Sequence, residues 1–135
     1  MKKTALALFA IALVAGCSNK EQLGLKDALV AKFKDDQDLK DYKLDPGKVA
    51  DCVVEEITGT LPGFPGDPRR ERYFEAYARF VAVKTPGEAE QAIRDYAQLF
   101  GSAKEARAAA TSITDHVMTC MGKAIEEAGG TPREP

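Results

Sequence analysis

The chain has 135 residues, with 19 Lys and Arg against 21 Asp and Glu, one His, three Cys, no Trp and 44% hydrophobic residues. That is the length of one domain, and its apolar share and mixed charges exclude a disordered polymer. A formal charge of -2 is too small to argue for nucleic acid or a strongly anionic partner.

At the N-terminus, Lys2 and Lys3 precede an unbroken apolar run over residues 5–14. Such a run is too short for a hydrocarbon core of about 30 Å, which needs roughly 20 helical residues. A short apolar run behind two lysines is the pattern of a secretory signal. The segment Val14-Ala15-Gly16-Cys17 follows directly. It resembles the lipobox of bacterial lipoproteins, with Val14 where Leu is usual, and the resemblance covers only the first 17 or 18 residues. It implies a diacylglyceryl thioether on Cys17, cleavage before it by signal peptidase II, and acylation of the new amino group. Ser18, in place of Asp, implies sorting to the outer membrane. The expected organisation is a signal over 1–16, a lipidated Cys17 and short tether over 17–24, a helical domain over 25–128 and a disordered tail over 129–135. From Ser18 to Gly24 the tether would reach at most roughly 25 Å, which keeps the domain near its membrane.

Ser18 and Glu21 have capping-box spacing, and Leu25, Ala28, Leu29 and Phe33 recur at helical intervals, so a first helix is expected near 20–35. Residues 35–45 are ambiguous: Leu39, Tyr42 and Leu44 suit either a turn of helix or an irregular segment docked on the core. Asp45 as N-cap, Pro46 at the first helical position and Gly59 as a stop frame the next helix, with Val49, Cys52, Val53 and Ile57 on one face. Residues 59–68 form a loop rich in Pro and Gly. Asp67 and Pro68 repeat the cap signal for a helix to about Lys84, with Tyr73, Phe74, Tyr77, Phe80 and Val81 inward. Thr85 and Glu88 open another helix, which Gly101 stops, and Ser102 and Glu105 open the last, about 103–128. The predicted fold is all-α: a small bundle of four main helices plus an N-terminal one. No internal repeat and no strand is evident.

Candidate chemistry is sparse. His116, beside Asp115, is the single histidine, and adjacent helix residues do not face each other, so the pair is no base with its orienter. No Cys or His spacing suits a metal site. Asp35, Asp36, Asp38 and Asp41 fail the calcium-loop pattern, because its sixth and twelfth positions fall on Asp41 and Gly47. A solvated acidic turn interleaved with lysines is the better account. The tyrosines at 73 and 77 read as core and not as a stacking platform. Arg69, Arg70 and Arg72 stand out, because cations in a first helical turn oppose the macrodipole. Behind the loop they could bind a carboxylate, a phosphate or an acidic partner surface; alternatively, Arg72 pairs with Glu75 on the outer face.

If Cys17 carries lipid, Cys52 and Cys120 remain as a pair in an oxidising compartment, and both sit on apolar stripes. A disulfide joining the second and last helices is therefore expected, with Cα atoms about 4.4–6.8 Å apart. The functional expectation is a membrane-anchored periplasmic lipoprotein that acts without catalysis or cofactor. It would bind another envelope component, facing the periplasm from the outer membrane. The alternative is a small-ligand-binding or stress-protective periplasmic module.

Overall fold

Side-chain oxygens mark where most of the helices begin. The computed structural model describes residues 20–129, which form six helices and no strand. The stretch read as signal and lipobox, with Cys17 and Ser18, and residues 130–135 of the expected tail lie outside the described residues. The helices are α1 (Lys20–Phe33), α2 (Gln37–Asp41), α3 (Pro46–Thr60), α4 (Arg69–Ala82), α5 (Pro86–Phe100) and α6 (Ala103–Glu127). Asp36, Asp45, Thr85 and Ser102 each accept a hydrogen bond from the backbone N–H three residues on, relieving one unpaired donor of α2, α3, α5 and α6. Glu88 completes the α5 cap by accepting from the Lys84 N–H at 2.9 Å.

α1 begins at Lys20, as the helix expected near 20–35 does, and so takes in part of the stretch assigned to the tether. One boundary differs from the sequence reading. α3 runs through Gly59 to Thr60, so Gly59 does not stop it. The stop comes from Pro62, which biases the residue before it away from the helical region; Leu61 is extended, with φ -70° and ψ 139°. The ambiguous segment over 35–45 resolves into the single turn α2, which drives Leu39 into the core while Tyr42 and Leu44 stay half-buried.

The helices share one core. Leu25, Leu29 and Phe33 of α1 pack at helical spacing against α4 and α3. α6 lies against α5 and α3, and α4 against α5. Between α4 and α5, Phe80 and Phe100 are joined by the rings of Tyr73, Tyr77 and Tyr96, most of them edge to face at centroid separations of 5.2–6.2 Å. That geometry sets the positive ring edge against the negative face. Tyr73 also donates its hydroxyl to the Leu99 carbonyl at 3.0 Å. Tyr77 and Phe80 are buried and the other three rings are half-buried against them; burial pushes the Tyr77 phenol above its ordinary range. The disulfide forms between Cys52 of α3 and Cys120 of α6, with Cα atoms 5.8 Å apart.

The directions of the helices follow from short-range bonds. Asp36 N–H donates to the Phe33 carbonyl, and Leu44 N–H to the Leu39 carbonyl at 2.8 Å, so the link after α1 folds back on itself. Phe33 therefore stays near the start of α3, and with Lys26 paired to Asp51 at 2.7 Å, α1 must run antiparallel to α3. The first residues of α1, the last of α3, the loop over 61–68 and the start of α4 thus share one end of the bundle. The turn from α5 to α6 is at this end too, since Thr60, Pro62, Phe100 and Glu105 line one cleft. At the opposite end lie the charged segment around α2 and the last turn of α6, with Lys43, Asp45 and Glu127 along one groove.

Candidate functional site

The loop that joins α3 to α4 carries the arginines, and its sequence explains its shape. Phe64-Pro65-Gly66-Asp67 closes a turn in which the Asp67 N–H donates to the Phe64 carbonyl at 3.0 Å. Proline second and glycine third, with Gly66 at φ 90°, is the type II pattern. Gly63 is also left-handed, at φ 86°, and a Cβ there would sit 2.4 Å from the Asp67 carboxylate. Only glycine admits that carboxylate so close to the backbone.

Asp67 is 5% exposed, the only charged side chain buried among the described residues. Its Oδ1 accepts the Arg69 backbone N–H at 2.9 Å, which makes it the cap of α4 in effect. The Arg69 guanidinium folds back onto both carboxylate oxygens, with Nη2 2.6 Å from Oδ2. This bidentate clasp holds the Asp67 carboxyl below the usual carboxylate range and raises the guanidinium in return. Arg70 reaches the other way and donates Nη2 to the Thr58 carbonyl, in the last turn of α3. Those carbonyls lack intrahelical donors, and a cation there also meets the negative end of the helix dipole.

Two of the three arginines therefore have internal partners that sequence spacing could not show. Arg72 is exposed, and no carboxylate lies within 4 Å of it among the described residues. The expected pairing with Glu75 is absent: Glu75 instead accepts from the Tyr96 hydroxyl across the α4–α5 interface, at 3.3 Å. Removing the three arginines together would strip Asp67 of its counter-ion and leave the Thr58 carbonyl with the Leu61 N–H alone.

Two large apolar side chains are notably exposed, Phe64 at 67% and Met118 at 68%. Phe64 was not singled out by periodicity, yet its surroundings held the signal. An aromatic set between Pro-Gly and Pro-Gly belongs to no helix face and has no stripe to join.

Among the recesses on the described surface, one of about 870 Å³ is an open groove between α3 and α6 beside the disulfide, with Lys43, Lys48 and Lys123 facing Asp45, Glu55, Glu56 and Glu127. Lys123 and Glu56 pair across it at 2.6 Å, which lowers the Glu56 carboxyl from its ordinary value. These charged walls do not suit an apolar ligand held inside the bundle. A shallower cleft of about 470 Å³ lies beneath Leu61 and Pro62 and carries Tyr73, Tyr77, Phe100 and His116. His116 is half-buried there. A recess of about 270 Å³ flanks the Arg107–Glu90 pair. No group of three or more His, Cys, Asp or Glu among the described residues could hold a metal ion, and no described helix is long and apolar enough to cross a membrane. Comparison of the chain with family models, curated proteins and solved structures gives no match.

Proposed function

We propose that the chain is a lipid-anchored module of a bacterial envelope, held through Cys17 at the outer membrane and facing the periplasm, which acts by binding and not by catalysis. The observation that carries this reading is the Cys52–Cys120 bond. Disulfides of this kind persist in oxidising compartments, which agrees with an export signal at the N-terminus. The pairing uses two of the three cysteines and leaves the third, Cys17, as the residue the lipobox assigns to lipid. A small helical domain, a covalent staple and one exposed loop suit a module that positions a contact surface in the envelope.

Metabolic labelling with a clickable palmitate analogue tests the anchor. The native chain takes the label and fractionates with membranes. The variant Cys17→Ser takes none and keeps its 16 leading residues. A native chain that is unlabelled, soluble and cut elsewhere overturns the proposal.

A further inference from the structure

We propose that the loop end of the bundle rests on the bilayer itself, with Phe64 inserted among the lipid headgroups as a second, non-covalent foothold. This rests on the lipid-anchor reading above. Cys17 precedes the first residue of α1 by three residues, so the covalent chain holds an anchor at Cys17 within about 11 Å of Lys20. Because α1 runs antiparallel to α3, Lys20 and the loop over 61–68 lie at the same end. The opposite end is farther off by the length of α3, about 22 Å at 1.5 Å per residue, beyond the reach of so short a tether.

The two ends differ in the way such a placement requires. The far end carries eight charged residues among residues 34–45. The loop carries one charge among residues 61–68, Asp67, and that carboxylate is buried and clasped by Arg69. What the loop offers outward is Phe64, 67% exposed and flanked by Pro62 and Pro65. Its two left-handed glycines and the Asp67–Arg69 clasp fix the backbone before any contact. The ring therefore loses little conformational freedom on insertion. Phe, like Trp and Leu, is a residue that interfacial segments bury at the headgroup–acyl boundary. Around the loop, Arg69 is clasped by Asp67, Arg70 turns inward to the Thr58 carbonyl, and Arg72 and Lys104 stand beside Glu71 and Glu105, so the contact is chiefly apolar and does not depend on anionic lipid. Met118, the other exposed apolar side chain, lies midway along α6 and serves as the comparison site.

The chain contains no tryptophan, so Phe64→Trp and Met118→Trp each create a sole indole reporter. Each lipidated full chain, its acyl groups verified by mass, is reconstituted into phosphatidylcholine vesicles with and without brominated acyl chains. For Phe64→Trp, emission shifts to the blue and brominated chains cut it about twofold or more, as burial of roughly 5–10 Å at the headgroup boundary demands. For Met118→Trp the emission stays that of a water-exposed indole, and adding phosphatidylglycerol changes neither result. A lipidated Phe64→Trp chain that shows no lipid quenching overturns the inference alone. If a photo-crosslinker at position 64 then captures an envelope protein in cells, the loop docks on protein. A chain that carries no acyl group overturns the proposed function, and this inference with it.

Discussion

Asp67 governs more than one contact at the scale of a single residue. Its carboxylate caps α4, clasps Arg69 and occupies the space that Gly63 leaves open. With the folded carboxyl held below its unfolded value of about 3.9, the ionised form contributes stability that is fully present above that value. That contribution is lost as pH falls through the depressed folded value, because the protonated acid no longer holds the guanidinium. The variant Asp67→Asn should therefore melt lower than the native chain at neutral pH, and the two should converge as pH falls through the depressed folded value. Thermal melts between pH 2 and 7 check this, and parallel acid limbs would contradict it. Little of this residue's role was legible in the chain. The Asp67-Pro68 cap was, because helix starts are written locally. The return of Arg69 onto the same carboxylate and the reach of Arg70 to Thr58 depend on the fold of the loop. The misjudged Arg72–Glu75 pair has the same cause: Glu75 found its partner, Tyr96, on another helix.

At the scale of the element, the disulfide joins two helices that are only neighbours in space. Cys52 and Cys120 are 68 residues apart, and the chain-entropy estimate for closing such a loop is about 4 kcal/mol. Replacing both, as Cys52→Ala with Cys120→Ala, should lower the urea-derived unfolding free energy by that order, which is much of what a small domain has. An unchanged midpoint would show that the helices hold without it. Their neighbourhood was readable because both cysteines sat on apolar stripes and one cysteine was already assigned elsewhere. The helix boundaries were readable in the same local way, through Asp45, Thr85 and Ser102. Gly59 misled because a glycine stops a helix only when the chain turns left-handed there. Here Pro62 does the stopping two residues after the helix ends.

At the scale of the molecule, all six helices contribute to one core, from Leu25 of α1 to Cys120 of α6. No helix has a private cluster to fall back on, so the described domain should unfold in one cooperative step. Helicity followed at 222 nm and the tyrosine fluorescence of the Tyr73, Tyr77 and Tyr96 cluster should give coincident denaturation curves. Separated midpoints would reveal an α5–α6 pair that survives alone. The arrangement of the ends was hidden from the sequence, because it depends on the folded-back link after α1 and on the pairing of Lys26 with Asp51. Local signals named the helices; the link and the ion pair oriented them.

The covalent staple also makes the chain a record of its own completion. A polypeptide delivered N-terminus first presents Cys52 while Cys120 is still 68 residues behind. A chain broken off anywhere before the last helix has no native acceptor for that sulfur. It keeps a reactive thiol that an oxidising compartment can join to the wrong partner. Only a chain that has arrived through α6 can form the native bond, so the Cys52–Cys120 link itself, and not the mere loss of a thiol at position 52, marks a finished molecule.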